Sequence, residues 1–330
     1  MSAEPVAIYL RTYLEPIAWL LDRPEITDIF INAPGEAWVE TIQGGIERHP
    51  APGLDETTLW RLARQIASLS HQGVSREHPL LSATLPGGER VQIVAPPATR
   101  GHLAIAVRKH VVADLSLEDY DRAEAFAGVR TDGASDAAIV DANLRQLLDT
   151  ASPAAFLAAA VRARKNIVVA GGTSTGKTTF LNALLKEVPR NERLILIEDA
   201  AEVQLDHPNA VGLISVRGEQ GEARISADDL VQASLRMRPD RIILGELRGH
   251  EAASFLRAVN TGHPGSITTI HADSPKGAVD QLALLVLQSG LNLGRQEIVD
   301  YVRGIVDVFV QLSRRNGRRT VSEILFQPSP

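Results

Sequence analysis

The chain has 330 residues and a mass of 35.6 kDa, more than one hydrophobic core usually organises, which points to two domains, and 44% apolar with 22% charged side chains is an ordinary soluble-globular composition. With no cysteine there is no disulfide framework, no thiolate nucleophile and no cysteine-ligated zinc or iron–sulfur centre. The net charge of −6 is uneven: residues 1–150 hold 13 basic against 21 acidic side chains and residues 151–330 hold 21 against 19, so the acidic front half argues against direct nucleic-acid binding.

Apolar positions Val6, Ile8, Leu10, Leu14, Ile17, Leu20 and Leu21 recur at roughly helical spacing and Asp22-Arg23-Pro24 closes that segment. Short β-like runs follow at 26–31, 37–41 and 46–49, separated by Pro34-Gly35 and Gly44-Gly45. Leu59, Leu62, Ile66 and Leu69 mark a second helix, and 82–85, 90–94 and 103–107 read as further strands. Residues 1–112 are thus predicted to form a small α+β domain with an antiparallel sheet. Between 113 and 135 the pattern weakens and Asp, Glu and Gly accumulate, as in a linker.

After helices predicted near 136–149 and 153–164, strands at 166–170, 194–198, 242–244 and 266–270 alternate with helices at 177–187, 226–235 and 249–260. That alternation predicts right-handed crossovers and a mostly parallel α/β sheet for a domain spanning 136–330. Two more helices, 275–290 and 295–305, lead to a hairpin of 306–311 and 320–325 around Asn316-Gly317. No apolar run approaches the roughly 18 residues of a membrane span, and the start lacks a signal peptide, so a cytosolic protein is expected.

Gly171-Gly172-Thr173-Ser174-Thr175-Gly176-Lys177-Thr178 is a G-x-x-x-x-G-K-S/T run directly after a predicted strand and before a predicted helix. Its glycines let backbone N–H groups converge on a β-phosphate, and the helix N-terminus adds its positive end. Gly172 through Thr179 are therefore the expected nucleotide cradle. Lys177 is expected on the β- and γ-phosphates and Thr178 on Mg²⁺. Lysine is scarce here, five of the 34 basic residues, so Lys177 is not an accident of composition.

At the end of the strand near 242–244, Gly245 stands where phosphate-loop enzymes usually carry an Asp, leaving Glu246 to face the crevice and activate water; a surface pairing with Arg248 or Arg241 is the other reading. Glu198, with Asp199 and Glu202, follows another strand and is the candidate for water-mediated Mg²⁺ binding, or else an ordinary capping residue. His271 ends the strand at 266–270 and is expected to donate to the γ-phosphate or to the catalytic carboxylate, a purely structural histidine being the alternative. His263 and His271 are eight apart with no cysteine and do not make a zinc site; shaping its turn is the other reading of His263. Arg314, Arg315, Arg318 and Arg319 surround the hairpin turn, either solvated or touching anionic lipid.

Taken together, GGTSTGKTT at 171–179, ILIEDAAEV at 195–203, LRMRPDRIILGELRG at 235–249 and NTGHPGSITTIHA at 260–272 resemble the Walker A, Asp box, atypical Walker B and His box of the traffic ATPases of type IV secretion and conjugation systems. The resemblance extends over nearly the whole chain. It implies a RecA-like P-loop ATPase domain, ATP and Mg²⁺ as ligands, a homohexameric ring, inner-membrane secretion components as partners, and a cytoplasmic protein peripherally associated with the inner membrane. It also implies that front-domain arginines, at positions matching Arg90 and Arg108, reach the nucleotide. The similar tight-adherence pilus ATPases, a nucleotide-gated scaffold ring and a nucleic-acid motor are the competing readings; the acidic front half speaks against the last.

Overall fold

Alternation of side chains along three central strands decides how the front half sits in the molecule. In the computed structural model, which describes residues 4–109, 116–129, 136–150, 152–216 and 222–328, the front half contains α1 (Glu4–Asp22), β1 (Ile26–Ile31), β2 (Gly35–Thr41), β3 (Ile46–Ala51), α2 (Glu56–Leu69), β4 (Leu80–Thr84), β5 (Arg90–Val94) and β6 (Ala104–Arg108). The six strands form one antiparallel sheet in the order β3-β2-β1-β6-β5-β4. Ile29 and Ile31 of β1, Val91 and Ile93 of β5 and Ile105 and Val107 of β6 pack under α1 and α2 with Ile17, Leu59 and Ile66. The intervening Phe30, Val94, Ala104 and Ala106 point the other way, into a core shared with the back half. The front sheet is thus covered on both faces.

A short helix, α3 (Leu117–Arg122), occupies part of the stretch expected as a linker. The back half continues with α4 (Asp136–Asp149), α5 (Pro153–Arg162), β7 (Ile167–Gly171), α6 (Lys177–Leu185), β8 (Leu194–Glu198), β9 (Ala210–Ile214), α7 (Ala227–Ser234), β10 (Arg241–Leu247), α8 (Glu251–Asn260), β11 (Ile267–Ile270), α9 (Pro275–Gln288), α10 (Arg295–Ile305), β12 (Val308–Arg315) and β13 (Arg318–Phe326). Its sheet runs β13-β12-β7-β11-β10-β8-β9, parallel throughout except for β13. The hairpin arms are longer than expected because Asn316 and Gly317 both adopt positive φ, 50° and 79°, the turn that keeps two twisted strands paired to their tips.

Strand β9 is absent from the sequence reading, and it is where the halves join. Thr99 bridges antiparallel to Leu213, the Arg100 N–H donates to Gly212 O (3.0 Å), and the Ile214 N–H donates to Ala98 O (2.9 Å). A second junction surrounds Arg193, only 1% exposed, which donates to Met237 O (2.9 Å), Asn209 Oδ1 (2.6 Å) and, in the front half, Asn32 Oδ1 (2.9 Å), with its guanidinium 3.9 Å from the centre of the Phe30 ring. Arg238 pairs with Glu40 beside it. Burial lowers the Arg193 pKa, opposed first by Asp240 and then by Asp28. Among the described residues no helix is long and apolar enough to cross a membrane.

Candidate functional site

The phosphate loop joins β7 to α6, and its shape follows from residue types. A Cβ at Gly171 would lie 2.5 Å from Thr175 Oγ1, and that hydroxyl donates to Gly172 O at 2.8 Å, folding the loop back on itself. Ser174 and Gly176 take positive φ, 62° and 93°, which costs glycine nothing and turns the chain into α6 with its first N–H groups free. The result is a cleft of about 370 Å³. Gly172, Ser174, Thr175, Gly176, Lys177, Thr178 and Thr179 line it; of the cradle expected from sequence, Thr173 does not.

Opposite the loop stand the C-terminal ends of β8, β10 and β11, as expected for ligand sites in parallel sheets. Glu246 comes from the end of β10. Its Oε1 lies 2.7 Å from His271 Nε2, and its Oε2 accepts from Arg248 Nε at 2.7 Å. Both ring nitrogens of His271 lie 3.4 Å from Lys177 Nζ, so lysine, histidine and glutamate form one contiguous group. The pairing of Glu246 with Arg248, raised as the alternative from sequence, is present within the cleft wall, whereas Arg241 is buried at the other end of β10 against Glu192. Lys177 Nζ donates to Gly171 O (3.0 Å). Burial lowers its pKa; Glu246 opposes that shift and Arg248 adds to it.

Glu198 is placed differently from the sequence expectation. Its side chain is only 4% exposed: Oε2 pairs with Arg100 of the front half and Oε1 accepts from the Glu202 (3.2 Å) and Val203 (2.8 Å) N–H groups. Those contacts organise the 198–203 loop and leave the carboxylate little capacity for a metal's waters. The carboxylate beside the Thr178 hydroxyl is that of Glu202, with Oε2 at 3.4 Å from Oγ1. Gly245 has a packing reason too, since a Cβ there would come 3.0 Å from Glu198 Cγ.

The front-half arginines are also redistributed. Arg90 and Arg108 face each other across β5 and β6 and line a separate pocket with Arg236, outside this chain's own cleft. The front-half arginine that reaches the cleft's wall is Arg100, which also donates to Val203 O at 2.9 Å. Its stem passes over Gly212, where a Cβ would overlap it. No motif marks Arg100 or Gly212. A second unforeseen cleft residue is Arg319 of the hairpin.

His263 lies apart from the cleft, with Nδ1 2.8 Å from Pro239 O, and burial lowers its pKa. An unfolded chain takes up that proton first as pH falls below about 6.5, so this histidine's contribution is whole above that value and is lost as pH falls towards the lower folded pKa. The urea midpoint is expected to fall from pH 7.5 to 5.5, and by less in His263→Asn; equal falls in both proteins would remove His263 as a cause.

Residues 134–325 match the family model for type II/IV secretion system proteins. The type IV secretion system protein VirB11 of Bartonella quintana is 38% identical, with 99% of this chain and 95% of that protein aligned. VirB11 of Brucella suis is 39% identical over 98% of this chain and 91% of its own length. A crystal structure of the Brucella suis VirB11 ATPase in complex with sulphate superposes with a TM-score of 0.90 at 37% identity, covering 98% of this chain and 96% of that one.

Proposed function

The chain belongs to the VirB11 family of type IV secretion system ATPases, and from that premise we propose that it hydrolyses Mg·ATP in the loop–β10 cleft to drive assembly of, or transfer through, a type IV secretion apparatus. Its relatives are type IV secretion proteins, which favours that system over the tight-adherence pilus. The observation that carries the catalytic reading is the contiguous Lys177–His271–Glu246 group facing a phosphate loop. A bare scaffold ring has no use for a carboxylate held at that point.

In this reading the loop N–H groups and Lys177 hold the β- and γ-phosphates, and Glu246 orients and deprotonates the attacking water. His271 keeps Glu246 and Lys177 in register and exchanges these contacts for the γ-phosphate. The donors near Thr178 are oxygens, a hydroxyl and the Glu202 carboxylate with Glu198 behind it, a set that suits Mg²⁺. Mg²⁺ there would offset phosphate charge. Residues 1–112 act as a cover, 113–135 as the connection and 136–330 as the RecA-like motor. The ring is a homohexamer, peripheral to the cytoplasmic face of the inner membrane, docked on membrane components of the apparatus. In it, Arg90 and Arg108 would serve a neighbouring subunit's nucleotide.

Closed rings leave no unpaired surface, and a ligand that binds the assembled state more tightly must stabilise it. Light scattering is expected to show a hexamer promoted by Mg²⁺ and a non-hydrolysable ATP analogue, with the effect blunted in Lys177→Ala. A wild-type protein that stays monomeric with analogue bound would contradict the ring.

A further inference from the structure

We infer that Arg319 is a phosphate-binding residue of this chain's own nucleotide cleft, carried there by the C-terminal hairpin. The topology makes the delivery. Strand β12 runs parallel to β7 with Leu312 opposite Gly171, so everything beyond Leu312 passes the phosphate loop on the ligand side of the sheet. The turn at Asn316-Gly317 then returns the chain with Arg319 opposite Arg314 and Arg318 opposite Arg315.

That arrangement places like charges directly across the ladder, which is unfavourable in the free protein. Among the described residues none of the four arginines has a carboxylate partner, and all four are exposed. Arg319 differs from the other three in what it lies against. A Cβ at Gly176 would be 3.1 Å from its Cδ, 3.6 Å from its Nε and 3.7 Å from its Nη1, so its stem and guanidinium rest on the loop that cradles phosphate. The cleft's other lining arginine, Arg248, is already tied to Glu246 and Asp199. Arg319 is therefore the lining guanidinium without an anion, and its planar fork matches a phosphate's oxygens. A bound polyphosphate would also relieve the Arg314–Arg319 repulsion.

This inference rests on the cleft being a nucleoside-triphosphate site, and the test separates the two. Affinities of the full-length protein for Mg·ADP, a non-hydrolysable Mg·ATP analogue and Mg·tripolyphosphate are compared in wild type, Arg319→Ala, Arg319→Lys and Arg315→Ala. Arg319→Ala is expected to bind all three about tenfold or more weakly, Arg319→Lys to recover part of the loss, and Arg315→Ala to match wild type. Removing one of two opposed like charges should leave the hairpin folded, which the urea midpoint checks. Wild-type affinity in Arg319→Ala overturns the inference alone. A loss confined to the nucleotides, with tripolyphosphate unaffected, also overturns it, because Arg319 would then stack on the base. A wild-type protein that binds none of the three overturns the nucleotide reading and this inference with it.

Discussion

Glu246→Gln is expected to keep ATP bound while losing turnover by about 10²- to 10⁴-fold, the usual contribution of a general base. Glutamine preserves the shape of the side chain and still accepts a hydrogen bond from Arg248, so the cleft wall stays in place. It cannot take a proton from water. Lys177→Ala should behave differently, losing affinity and turnover together, because in the proposed reading the ammonium next to His271 holds phosphate in ground and transition states alike. Phosphate release at saturating ATP and equilibrium binding of a fluorescent ATP analogue separate the two behaviours. If Glu246 served only as the partner of Arg248, the Gln variant would turn over at close to the wild-type rate.

At the far end of β10 a second large effect is expected, on stability. Arg241 is fully buried; its Nε donates to Glu192 Oε2 at 2.5 Å and its Nη2 to Glu192 Oε1 at 3.0 Å, while Nη1 donates to Val161 O at 2.7 Å. Neutralising one partner of a buried pair leaves an uncompensated charge, typically a loss of about 3–5 kcal/mol. Glu192→Gln should lower the urea midpoint accordingly, whereas replacing both residues by Met should restore much of the loss, because the desolvation of both charges disappears. An unchanged midpoint in Glu192→Gln would show that the carbonyls alone satisfy Arg241. The pair braces the strand that carries Glu246 at its other end.

What could be read from the sequence was local. The phosphate loop is eight consecutive residues between a strand and a helix, and Glu246 and His271 sit at strand ends, where a parallel sheet presents its ligands. Arg100, Glu202 and Arg319 acquire their positions from contacts across the chain: the pairing of Arg100 with Glu198 spans 98 residues, and Arg319 meets Gly176 only because β12 lies beside β7. Sequence presents Glu198 and Glu202 alike beyond β8, and what distinguishes them is a guanidinium from the front half, Arg100, that pairs with Glu198. Strand β9 is short and contains Gly212, a weak strand signal by composition; the glycine is there for the passage of the Arg100 stem. Helix α3 did leave a readable sign, the capping box of Ser116 and Asp119, in a stretch whose few apolar positions suggested only a linker.

The shared core has a consequence for how the front half can be tested. Phe30, Trp38, Val94 and Ala98 pack with Ile195, Leu230 and Leu244, so cutting the chain near 135 would strip apolar cover from the back half as well as remove Arg100. A point substitution is the cleaner probe. The back half lines the cleft and the front half is expected to shape it, with Arg100 fixing the 198–203 loop whose Glu202 stands beside Thr178. The measurement that tests it is the turnover number of Arg100→Ala with saturating Mg·ATP. A loop freed to move by about 1 Å predicts a fall of roughly ten- to hundredfold with the fold intact, whereas wild-type turnover would show that the back half builds the site alone.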